Sequence, residues 1–95
     1  MKCHAPFLVR QANGDSWEVE VFPNKWLLCE TKDDAIAISN VPVLHSRCFP
    51  VNRRDNQLAS ELERVVSVLI KYNIQNFIVR FFSEQAKIFR GEISE

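Results

Sequence analysis

The segment His45-Ser46-Arg47-Cys48-Phe49-Pro50-Val51-Asn52-Arg53-Arg54-Asp55-Asn56 gathers a histidine, a cysteine and three arginines within twelve positions. Two chemistries suit those side chains. With Cys3 and His4 near the N-terminus, His45 and Cys48 complete a Cys2His2 set, the donor mix that zinc takes at tetrahedral geometry. The spacing argues against it, because adjacent Cys-His side chains point apart and a zinc module more often carries a C-x2-4-C pair at each end. The second chemistry is anion binding. Arg47, Arg53 and Arg54 surround the start of an expected helix, where free N–H groups and planar guanidinium forks suit phosphate or carboxylate.

Acids crowd the same place, however. Asp55 follows at once, Glu61 and Glu63 come within two turns, and no glycine-rich loop exists, the two glycines being Gly14 and Gly91. A nucleophile–base pair would need Cys48 or Cys3 beside His45 or His4 with an orienting acid such as Asp55. Any chain of this size offers such a trio by accident, and no nucleophile elbow, phosphate loop or metalloprotease helix is present. The expectation is therefore a connector in which Cys48 packs as a small hydrophobe, without metal or cofactor, and catalysis is not expected.

Composition narrows the class. At 95 residues, with 46% hydrophobic and 25% charged side chains, the chain is expected to form a single domain over residues 1–95. Such a length buries roughly 60 to 65% of its unfolded surface, enough to fold without a staple. A formal net charge of zero removes the strongest argument for nucleic acid as partner. No apolar run approaches the roughly 20 residues that span a bilayer, so no membrane partner is expected. The run Phe7-Leu8-Val9 is cut short by Arg10, too soon for a signal peptide, and three scattered cysteines cannot all pair. These features point to a cytoplasmic protein with reduced thiols.

The elements that must position these residues divide by period. Residues 7–11, 17–21 and 26–30 read as strands joined by turns at Asn13-Gly14-Asp15 and Pro23-Asn24-Lys25. In Trp17-Glu18-Val19-Glu20-Val21 apolar and polar residues alternate, so Trp17, Val19 and Val21 face a core. Thr31 is a good N-cap for a short helix with Asp33 and Asp34 in its first turn. Pro42 is expected to stop it and to hold Val41 extended. A long helix begins near Asn52 or Asp55 and ends about Tyr72, with Leu58, Leu62, Val65, Val66, Leu69 and Tyr72 on one stripe. That stripe is wider than one sheet requires, which calls for a second partner, the short helix or another copy of the chain.

Residues 76–82 are rich in β-branched and aromatic side chains and read as a strand, with 86–90 as a possible hairpin partner. A helical phase competes, since Ile78, Phe82, Ala86, Phe89 and Ile93 keep spacings of four, four, three and four. The expected fold is α+β: a mainly antiparallel sheet, made of an N-terminal three-stranded meander plus a C-terminal strand or hairpin, with one short and one long helix on one face. A strand apolar on both faces needs covering on both, so Phe77, Ile78, Phe82 and Phe89 are the expected interface of a homodimer. The function that follows is a small protein-interaction module, a homodimer or the binder of another protein. The alternative is a nucleic-acid or anionic-ligand binder using Arg47, Arg53 and Arg54.

Overall fold

The computed structural model describes residues 5–49, 53–74 and 76–92. The fold is α+β, with a three-stranded antiparallel sheet and four helices among the described residues. The chain divides into two compact units, Met1–Ser46 and Arg47–Glu95.

In the first unit, β1 (Val9–Gln11), β2 (Trp17–Phe22) and β3 (Lys25–Cys29) form the expected meander in the order β1-β2-β3. Gly14 and Asn24 supply the positive φ, 64° at each, that the two tight turns require. Val9 pairs with Val19 and Val19 with Leu27, while Trp17 pairs with Cys29, so these side chains share one face. Helix α1 (Lys32–Ser39) packs on the sheet, mainly against β2. It buries Ala35, Ala37 and Ile38, and Val19 and Cys29 are buried with them. Its start matches the sequence: the Thr31 hydroxyl accepts from the Asp34 N–H at 3.1 Å. The other sheet face carries Arg10, Glu18, Glu20, Trp26 and Leu28. There the Arg10 guanidinium lies 3.8 Å from the Trp26 ring centroid and bonds Glu18 at 2.8 Å.

Pro42 does not extend the chain. Residues Val41–Arg47 form a second helix, α2, with Pro42 in its first turn. A proline costs nothing there, because the N–H it lacks would have no intrahelical acceptor. Helix α1 still ends, at the Asn40 cap, and the Leu44 N–H returns to the Asn40 carbonyl at 2.8 Å to start the new helix. The stretch read as a connector from His45 onward is thus helical as far as Arg47.

The second unit is a pair of helices. Helix α3 (Asn56–Lys71) matches the expected long helix, with Asp55 as N-cap accepting from the Leu58 N–H at 3.0 Å. Leu58, Leu62, Val65 and Leu69 are buried, and Ser60, Glu63, Arg64, Ser67 and Lys71 are exposed. Residues expected as a C-terminal strand or hairpin instead form a long helix, α4 (Phe77–Arg90), packed along α3. Caps specify it at both ends. The Asn76 side chain accepts from the Ile78 N–H at 3.0 Å, and Gly91, at φ 80°, closes the C-terminus in the left-handed conformation. The helical spacing is the one realised, since Phe82, Ala86 and Phe89 are buried, while Ile93 lies outside the described residues. Arg90 clamps α4 to α3 through both Glu63 oxygens, at 2.9 and 2.7 Å, and the Ser60 hydroxyl.

The change from strand to helix also changes the expected interface. On a strand, Phe77 and Phe82 point opposite ways, each to be covered by a partner. On α4, Phe82 and Phe89 are fully buried in the chain, Ile78 is half-buried and Phe77 is 76% exposed. Phe82 and Phe89 are core residues, and only Phe77 stands fully at the surface.

Candidate functional site

Two of the three arginines of the segment are engaged by neighbouring groups of the second unit. In the second unit, Arg47 bonds both Glu61 oxygens, at 3.4 and 3.2 Å. Arg53 donates to the Arg47 carbonyl at 2.9 Å, lies 4.0 Å from Asp55 and faces the Phe89 ring at 5.7 Å. The Arg54 guanidinium lies beside Gly91, where an added Cβ would meet it at 3.6 Å. The Asp55 carboxylate already caps the start of α3. An incoming anion would have to displace Glu61 from Arg47 and compete with Asp55 for the helix N-terminus.

Cys48, just past α2, is fully buried. Burial pushes its thiol up to about 11, outweighing the pull of the Arg53 and Arg47 guanidiniums toward the thiolate. At neutral pH Cys48 is therefore a neutral thiol, a poor nucleophile. Folding favours the protonated form, so its stabilisation is complete below the ordinary value of 9.0 and is lost as pH rises through about 11. Native Cys48 should resist iodoacetamide at mildly alkaline pH and react once the chain is unfolded. Peptide mass spectrometry showing it alkylated in the native protein as fast as a free cysteine would contradict this. Of the other residues weighed as zinc donors, His45 is half-buried in α2, and Cys3 and His4 lie outside the described residues. Among the described residues, no three His, Cys, Asp or Glu side chains come together in an arrangement that could hold a metal ion.

Two surfaces stand out that the residue types did not announce. In the second unit, Ile70, Asn76, Phe77, Val79 and Arg80 line an open hollow of about 600 Å³. Arg80 has no carboxylate in ion-pairing distance among the described residues. The sequence signal for this hollow was the asparagine cap before Phe77, which makes Phe77 the first residue of a helix. In the first unit, Pro6, Phe7, Leu8, Glu20, Val21, Phe22, Pro23 and Asn24 line a hollow of about 450 Å³ beside the β2–β3 turn. Leu8 and Phe22 stand largely in solvent there, and Leu28, on the outer sheet face, is 57% exposed. Elsewhere, the side-chain amide oxygen of Gln85, Oε1, is buried in α4 with no hydrogen-bond partner among the described residues. No helix among the described residues is long and apolar enough to cross a membrane.

No family model matches the chain, and neither a curated protein nor a solved structure shows significant similarity to it.

Proposed function

We propose that the protein is a small interaction module that works as a homodimer. The observation that supports this reading is the number of large apolar side chains left in water for a chain of 95 residues: Leu8, Phe22, Leu28, Phe49 and Phe77 are each more than half exposed. Large apolar side chains left in water mark interaction sites where they cluster, as Leu8 and Phe22 do in the hollow of the first unit, and closed two-fold pairing is the commonest way of covering such surface. With a formal net charge of zero, electrostatic repulsion between copies is weak. The arginine reading is less favoured, because Arg47 and Arg53 are already engaged by Glu61 and the Arg47 carbonyl.

Light scattering after size exclusion tests the reading. The expected mass at micromolar concentration is about twice 11.1 kDa, falling on dilution. A mass of 11.1 kDa at every concentration overturns it. A chain that stays at that mass but binds short DNA, RNA or polyphosphate in a salt-dependent way supports the anion-binding alternative instead.

A further inference from the structure

The sheet of the first unit has two edges, and the sequence protects only one of them. Strand β1 is three residues long and includes Arg10 and Gln11. Short length and polar, charged side chains are how natural sheets blunt an edge. Strand β3 has one such device, at its first residue only: after Lys25 it reads Trp26-Leu27-Leu28-Cys29, with neither charge nor proline. The register decides which of its backbone groups face outward. The Glu20 N–H donates to the Leu8 carbonyl and the Ala12 N–H to the Ser16 carbonyl, both at 2.9 Å. Even-numbered residues of β2 therefore bond to β1. The odd-numbered Trp17 and Val19 bond to their opposites in β3, Cys29 and Leu27. The N–H and C=O groups of Trp26 and Leu28 are left on the outer edge, and no backbone group among the described residues pairs with them.

We infer that a second copy of this chain adds to that edge, β3 against β3 and antiparallel, about a two-fold axis normal to the sheet. This rests on the self-association reading and gives it a surface. Such an axis keeps both α1 helices on one side and joins two three-stranded sheets into one. It pairs residues that lie on the same face, Trp26 of one copy with Leu28 of the other on the outer face and Leu27 with Leu27 on the inner. Every contact in the middle of the new pair is apolar, and the outward groups of Trp26 and Leu28 gain the hydrogen bonds they lack.

The charges at the ends select this direction. Lys25 opens β3, and Glu30, Asp33 and Asp34 follow its end, against one cation, Lys32, whose ammonium lies 5.1 Å from the Trp17 ring. Antiparallel pairing brings the basic start of each strand to the acidic end of the other. Parallel pairing would set Lys25 against Lys25. The hollow at Phe77 has no such self-complementarity, since a two-fold axis there brings Arg80 toward Arg80.

The test uses the full chain and two readouts. Leu28→Pro deletes an outward N–H that the fold of a single copy does not use, at an edge position where proline is tolerated. The expected result is a dimer for the unaltered chain and for Phe77→Glu, and a mass of 11.1 kDa with unchanged circular dichroism for Leu28→Pro. Hydrogen exchange needs no variant: the Trp26 and Leu28 amides should be protected in the dimer and lose protection on dilution. A dimer whose Trp26 and Leu28 amides exchange freely leaves self-association standing and overturns the β3 edge. A chain that is monomeric at every concentration overturns self-association itself.

Discussion

Replacing Phe82 by alanine should lower the unfolding free energy by about 3 to 5 kcal/mol. The ring is fully buried on α4, on the stripe it shares with Ala86 and Phe89, and lies 6.0 Å from the Phe81 ring centroid. Truncation removes the transfer free energy of the ring and leaves a cavity that two packed helices cannot close without shifting. For a domain whose total stability lies between about 5 and 15 kcal/mol, this is enough to bring a marginal fold close to collapse. Phe77→Ala is the control. Its ring is 76% exposed, so its removal should change stability by no more than about 0.5 kcal/mol. Urea melts followed by circular dichroism compare the two directly. Similar costs would show that 77–89 does not have the phase described for α4, in which Phe82 is inside and Phe77 outside.

The second large effect is on α3. Leu62→Ala should cost about 2 to 5 kcal/mol, and Ser67→Ala should be near neutral. Leu62 is fully buried near the middle of α3, with Leu58 and Ala59 buried in the turn before it and Val65 and Leu69 after. Ser67 is exposed on the far side of the same helix. A shift in the urea midpoint for Leu62→Ala without a change in slope would identify lost packing rather than a more expanded denatured state. Equal midpoints for the two variants would refute the assignment of the buried face.

The two comparisons also separate what was legible in the sequence from what was not. Strands β2 and β3 were readable because Trp17 to Val21 alternate with period two and a turn signal stands at either end. Helices α1 and α3 were readable because Thr31 and Asp55 are caps followed by helical runs, and in α3 the apolar spacing excludes a strand. In each case local preference and the apolar pattern pointed the same way. The segment from Asn76 to Gly91 is different. Phe77-Ile78-Val79 and Phe81-Phe82 favour a strand by propensity, yet Ile78, Phe82, Ala86 and Phe89 fit a helical stripe equally well. Asn76 and Gly91 were the tie-breaking signals, as N-cap and left-handed C-cap, and local composition outweighs two residues when read alone.

The candidate site followed the same division. Of the residues that drew attention by type, Arg47 and Arg53 turn out to be engaged with neighbours and Cys48 is buried, while Arg54 is exposed beside Gly91. Which apolar side chains are left in water depends on the rotation of each helix and the register of each strand, and neither is a property of residue type. The sequence by itself determined the meander, the caps that start α1 and α3 and the apolar stripe of α3, because each is a pattern among residues near in the chain. Tertiary structure decided that 77–90 is a helix. The apolar face of α3, wider than a single sheet would use, can be covered along its length by a second helix, and burying Phe82, Ala86 and Phe89 against neighbours distant in sequence outweighs a local preference of about 1 kcal/mol or less.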